Sequence, residues 1–100
     1  MSLGNTNDST SICKRITVLN KNGMHLIPCS NLVHLTKDFP GDVRLSKGEQ
    51  DASCKSILEL LVLFAEPETT LTLTVTGEQA EEMAEKVSQF FSNGCILPPP

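Results

Sequence analysis

The stretch with the clearest chemical content is Asn22-Gly23-Met24-His25-Leu26-Ile27-Pro28. Asn-Gly is a strong turn signal, because both residues tolerate the positive φ angles that reverse a chain. Proline suits the first turn of a helix, where its missing N–H has no partner to lose. His25 is therefore expected at a helix N-terminus, beside backbone N–H groups that no carbonyl satisfies; such a terminus favours anions. An imidazole is a good nucleophile near neutral pH because much of it is unprotonated there. A nucleophile beside an anion site suits the reversible carriage of a phosphoryl group. The same placement also fits an ordinary solvated or capping histidine.

Two other residues could carry chemistry. Cys29 lies four residues after His25 on the same helix face, where neighbours meet. A Cys–His pair could be nucleophilic or give two ligands to a metal. No third member stands nearby in sequence and His34 is off that face, so Cys29 reads as a small hydrophobe and no metal site is expected. Ser56 reads as the cap of a short helix: its hydroxyl can accept an N–H bond from the first turn, and Glu59 complements the helix dipole there. Beyond Ser56, the residues Ile57, Leu58 and Leu61 fall on neighbouring turns and cannot all face inward.

The elements that position these residues follow from hydrophobic period. Met1 to Ser11 is rich in Ser, Thr and Asn and is expected to be a disordered leader. From Ile12 the chain alternates, with Ile12, Ile16 and Val18 on one parity and Lys14 breaking it, which predicts a half-buried strand. Leu26 to Lys37 carries Leu32, Val33, Leu35 and Thr36 at helical spacing, and Pro40-Gly41 closes it. Val43 and Leu45 mark a short strand, Lys47-Gly48 a turn, and Glu49 to Ser53 a second short strand. A helix is expected over Ile57 to Phe64, stopped by Pro67. Thr70 to Thr76 alternates strictly and is the clearest strand. The last helix, Glu78 to Ser92, places Ala80, Met83, Ala84, Val87, Phe90 and Phe91 on one apolar stripe, with Glu78, Glu81 and Glu82 at its N-terminus. Asn93-Gly94 ends it, and residues 96–100 are expected to be an extended tail. The order is β-α-β-β-α-β-α. Short alternating strands suit an antiparallel sheet with helices gathered on a single face.

One hundred residues make one domain, too small for a deep cleft between domains. A net charge of −4 without a basic block argues against nucleic acid as a partner. The richest apolar run, 57–65, is interrupted by Glu59, so no membrane insertion is expected. The N-terminus lacks the apolar core of a signal peptide, which gives a cytoplasmic expectation. Cys13, Cys29, Cys54 and Cys95 are widely spaced, without a C-x-x-C, and read as reduced thiols.

Taken in order, Asn22-Gly23-Met24-His25-x-x-Pro28, an apolar helix ending near Phe39, Lys55-Ser56-Ile57 before a second apolar helix, a Thr-rich strand, Gly77 and an acidic helix start form one pattern. It resembles HPr, the histidine-containing phosphocarrier of the bacterial sugar phosphotransferase system, over roughly 12–95. The resemblance implies an α+β open-faced sandwich: a four-stranded antiparallel sheet of order 1-4-2-3 with three helices on one face. It implies a cytoplasmic monomer that needs no cofactor and is not itself an enzyme. His25 would accept a phosphoryl group on Nδ1 from phosphoenolpyruvate through enzyme I and pass it to a sugar-specific IIA domain. Leu26, Ile27 and Pro28 would form the phosphate-binding helix terminus. Ser56 matches the serine that HPr kinase/phosphorylase modifies as a regulatory switch. Partners would dock on an apolar patch with a basic rim, here Met24, Ile27, Lys37, Lys55, Ile57, Leu58 and Leu61. One departure stands out: the family usually has arginine where this chain has Ile27. That substitution favours an alternative, a regulatory relative acting mainly through Ser56 and protein binding, with weak or no transfer through His25.

Overall fold

A computed structural model describes residues 11–19, 21, 23–63 and 66–97. The expected element order is present: β1 (Ser11–Thr17), α1 (Leu26–Thr36), β2 (Asp42–Lys47), β3 (Gln50–Ser53), α2 (Ile57–Leu63), β4 (Thr70–Thr76) and α3 (Ala80–Ser92). The four strands form one sheet of order β1-β4-β2-β3, antiparallel at every pairing. The fold is the open-faced α+β sandwich, with the three helices packed on one side.

β4 shows why one face is covered. Leu71, Leu73 and Val75 are buried, while the intervening threonines turn to the open face. Opposite Leu73 in the register stand Lys14 on β1 and Leu45 on β2. Lys14, which broke the apolar parity, thus lies on the helix side, where its ammonium donates to Glu85 on α3 at 3.0 Å. That bond, with the nearby positive charge, holds the Glu85 carboxyl below its usual range. The α3 stripe is buried as expected, and Phe90 and Phe91 pack edge to face with ring centroids 5.4 Å apart.

Several boundaries differ from expectation; α1, for one, ends at Thr36 with Lys37 as its C-cap. α3 begins at Ala80, not Glu78, because Gly77 (φ 130°) and then Gln79 (φ 65°) take positive φ and hold Glu78 in a turn. Only Glu81 and Glu82 remain in the first turn. β3 begins at Gln50; with few strand formers, its extent is set by pairing with β2. Ser11, expected in the leader, already pairs with Thr76. The leader up to residue 10, Phe64 at the expected end of the second helix, and Pro98 to Pro100 of the tail lie outside the described residues. Of the tail, Ile96 is exposed and Leu97 packs partly against the core.

Close approach fixes the turn between α1 and β2. A Cβ added at Gly41 would stand 2.0 Å from the carbonyl oxygen of Thr76, so no side chain fits there. α1 packs on α2, and the buried Thr36 hydroxyl lies 3.0 Å from both the Leu32 and the Cys54 carbonyl oxygens. It can donate to either, tying the end of α1 to the chain that leads into Ser56.

Candidate functional site

The site begins with the turn that feeds α1. Gly23 has φ 72°, the conformation its type permits; Asn22 lies outside the described residues. Met24 follows with 2% of its surface exposed, anchored in the core. His25 is the N-cap of α1, in extended backbone (φ −110°, ψ −163°), and its carbonyl accepts the Cys29 N–H at 3.0 Å. The ring is half-buried and caps nothing.

Leu26 and Ile27 follow with exposed side chains. Their N–H groups, in the first turn of α1, have no carbonyl partner within the helix. No acidic residue in that turn repels an anion. Pro28, expected with them in a phosphate-binding turn, is buried and has no N–H to give. It shapes the terminus by fixing φ and is not itself a ligand.

Cys29 is fully buried, and burial pushes its thiol up to about 11, which keeps it protonated near neutrality. Full burial and a raised thiol both disfavour a nucleophilic Cys–His pair. Among the described residues no group of three His, Cys, Asp or Glu side chains is placed to hold a metal ion. All four cysteines are thiols, Cys13 exposed and the others buried.

Ser56 caps α2. Its hydroxyl accepts the Glu59 N–H at 3.2 Å and its carbonyl accepts the Leu60 N–H at 3.1 Å. The Glu59 carboxylate reaches back to the Ser53 N–H at 2.8 Å, three residues further than in a simple capping box. It also lies 3.6 Å from Arg44, which donates to Asp51 at 2.6 Å and stands 3.8 Å from Asp42. The hydrogen bond to Asp51 chiefly holds the guanidinium above its ordinary pKa. This cluster gave no sequence signal, since its members come from three elements.

The expected docking patch is redistributed. Met24 cannot contribute, because its side chain is in the core. Ile57 and Leu61 are half-buried, whereas Leu58 and Val62 are 72% and 75% exposed. Val62 was missed, although it lies four residues after Leu58 on the same helix face. Lys37 is exposed. Lys55, expected at the rim, turns inward: its ammonium donates to the Phe39 carbonyl and to the Gly41 carbonyl at 2.8 Å, 5.9 Å from the Phe39 ring centroid. It closes the turn between α1 and β2.

A small α+β domain that offers one histidine at a helix N-terminus is thus in view. A family model for the PTS HPr component phosphorylation site matches residues 12–93. The chain belongs to the HPr family of the phosphotransferase system. It is 30% identical over 78 residues to the phosphocarrier protein NPr of Shewanella violacea, covering 78% of this chain and 86% of that protein. With the phosphocarrier protein HPr of Vibrio cholerae it shares 31% over 72 residues, covering 72% and 85%. The crystal structure of HPr from Bacillus anthracis superposes with a TM-score of 0.77 at 27% identity, over 81% of this chain and 96% of that one. The Bacillus subtilis catabolite repression protein Crh, crystallised as a domain-swapped dimer, superposes with a TM-score of 0.67 at 28% identity, over 83% and 95%.

Proposed function

We propose that this protein is a cytoplasmic phosphocarrier that takes a phosphoryl group on His25 from phospho-enzyme I and yields it to a IIA domain. The observation that carries the reading is the N-cap placement of His25, whose ring engages no cap bond beside the Leu26 and Ile27 N–H groups. In the forward step the Nδ1 lone pair, the atom the family implies, attacks phosphorus. A P–N bond forms on His25 as the P–N bond on the donor histidine breaks. The bound phosphoryl oxygens face the two backbone donors and the positive end of α1. The return step is the same exchange with a IIA nucleophile, so the protein is consumed and regenerated stoichiometrically. Ile27, Lys37, Ile57, Leu58 and Leu61 are the proposed partner contacts.

The finer reading adds control at Ser56. Its half-buried hydroxyl is held at the start of α2, and a phosphate there would alter the charge offered to partners. HPr kinase/phosphorylase is the enzyme this reading calls for. The alternative, a regulatory relative in which Ser56 matters and His25 transfers little, is favoured by Ile27, which gives no charge to a phosphate. Incubation with labelled phosphoenolpyruvate and enzyme I decides between them. Acid-labile label on His25 supports the carrier; its absence, with acid-stable label from ATP and the kinase, supports the alternative.

A further inference from the structure

β1 is an outer strand of the sheet, with β4 on one side and no strand on the other. The Val18 N–H donates to the Thr69 carbonyl at 2.9 Å, and the Val18 carbonyl accepts the Glu68 N–H at 2.7 Å. Backbone groups alternate sides along an antiparallel strand, and β1 pairs with β4 without a bulge. Ile12, Lys14 and Ile16 therefore turn their N–H and C=O groups towards β4, while Cys13, Arg15 and Thr17 turn theirs to the outer edge. These three residues are exposed, and among the described residues no hydrogen bond meets their outward backbone groups. A depression of about 150 Å³ lies along this edge on the α3 side, lined by Arg15, Thr17, Leu19, Ser88 and Ser92 above buried Phe91. Arg15 is the one charged residue of that lining and makes no ion pair among the described residues. Lys14 is paired with Glu85. Glu81 stands one turn earlier on α3, towards the Ser11 end, Glu68 meets Val18 from the β4 side, and exposed Lys21 follows Leu19. The middle of the edge thus keeps the positive charge of Arg15.

We propose that the β1 edge takes an added strand, an extended acidic segment of a partner protein with a carboxylate beside Arg15 and a valine-sized side chain in the depression. Arg15 stands opposite Thr72, on the parity of the open face, and the depression lies on the helix side, so successive side chains of an added strand meet them in turn. The edge offers carbonyls as well as N–H groups. A bare oxyanion would use only the donors, whereas an extended chain uses both. Charge complementarity calls for the carboxylate. A second copy of this chain fits poorly, because the two-fold register that engages Cys13, Arg15 and Thr17 together sets Arg15 against Arg15. No residue of this edge is among the partner contacts proposed around His25 and Ser56, so the inference stands apart from that reading.

The test is amide hydrogen exchange on the full ¹⁵N-labelled chain, read from correlation spectra. The probe is the end-capped peptide Val-Glu-Val-Glu-Val. One comparison peptide has lysine in place of glutamate, and another carries a methyl group on each backbone nitrogen. With the glutamate peptide, exchange at the Cys13, Arg15 and Thr17 amides should slow by at least about tenfold, less so as salt rises, and the Ser88 and Ser92 signals should move. The comparison peptides should leave them unchanged. Arg15→Glu, at an exposed position whose fold the same spectra verify, should turn the preference towards the lysine peptide. Four results would each overturn the proposal. They are no protection by the glutamate peptide, equal protection by either comparison peptide, the original preference in a folded Arg15→Glu, or protection without peptide that grows with protein concentration. The last would assign the edge to a second copy.

Discussion

Ile27→Arg probes the site most directly. Ile27 is 64% exposed on the first turn of α1. The turn now offers a phosphoryl group only the N–H groups of residues 26 and 27, since Pro28 has none and the Cys29 N–H is bonded to the His25 carbonyl at 3.0 Å. A guanidinium on residue 27 can fold back over His25, and no carboxylate of that turn is there to neutralise it. Each charge-assisted hydrogen bond is worth about 1.5–3 kcal/mol, with solvent exposure favouring the low end. One or two such bonds realised only in the transition state speed transfer by about ten- to a hundredfold. Stability should change by no more than about 0.5 kcal/mol, because the position is on the surface. Quenched-flow labelling from phosphoenolpyruvate and enzyme I compares the two proteins. An unchanged rate in a folded mutant refutes the reasoning: the backbone donors would then suffice. A slower rate would show that the partner reads an apolar side chain at this place.

His25→Ala should abolish acid-labile labelling and leave the circular dichroism spectrum unchanged, since the ring caps nothing; labelling at the original rate would place the acceptor elsewhere. Ser56→Ala should lower stability by about 1 kcal/mol through loss of the cap, read from urea midpoints, and should remove the single phosphate that mass spectrometry finds after treatment with ATP and the kinase. Thr36→Val leaves the buried Cys54 carbonyl without its donor and should cost about 1–3 kcal/mol in the same assay. Burial pushes the Cys29 and Cys95 thiols up to about 11 from an ordinary 9.0. The unfolded chain therefore loses these protons first, and stability should fall as pH rises from about 9 towards about 11. Urea midpoints should drop across that window, and Cys29→Ala should flatten part of the drop.

Periodicity made β4 and α3 readable. Thr70 to Thr76 alternates without a fault, and the expected strand matches the observed one residue for residue. The α3 stripe needed no knowledge of its neighbours. Where a residue's fate depends on elements distant in sequence, local reading fell short. Met24 looked like a turn residue free to meet partners, yet the fold draws it into the core. Lys55 looked like a rim cation, but the carbonyls it satisfies belong to the turn after α1. Thr36 stands at apolar-face spacing, which accounts for its burial but not for its bond to Cys54. The start of α3 slipped because a glutamine, not a glycine, adopts the left-handed conformation. His25 was placed at its helix terminus by turn chemistry alone, since both signals, Asn-Gly before it and proline after it, are local.

The sheet order sets a schedule for folding. β1 pairs with β4 alone, and β2 reaches β1 only through β4. The strand that joins both sides of the sheet is therefore the last of the four to leave the ribosome. Until Thr70 to Thr76 emerges, the β2–β3 hairpin is the one ladder of this sheet that the nascent chain can close, and such a hairpin is marginal alone. Closing the long loop between Thr17 and Thr70 costs chain entropy before any β1 bond offsets it. The strand just ahead of His25 therefore meets its partner only once the larger part of the chain has been made.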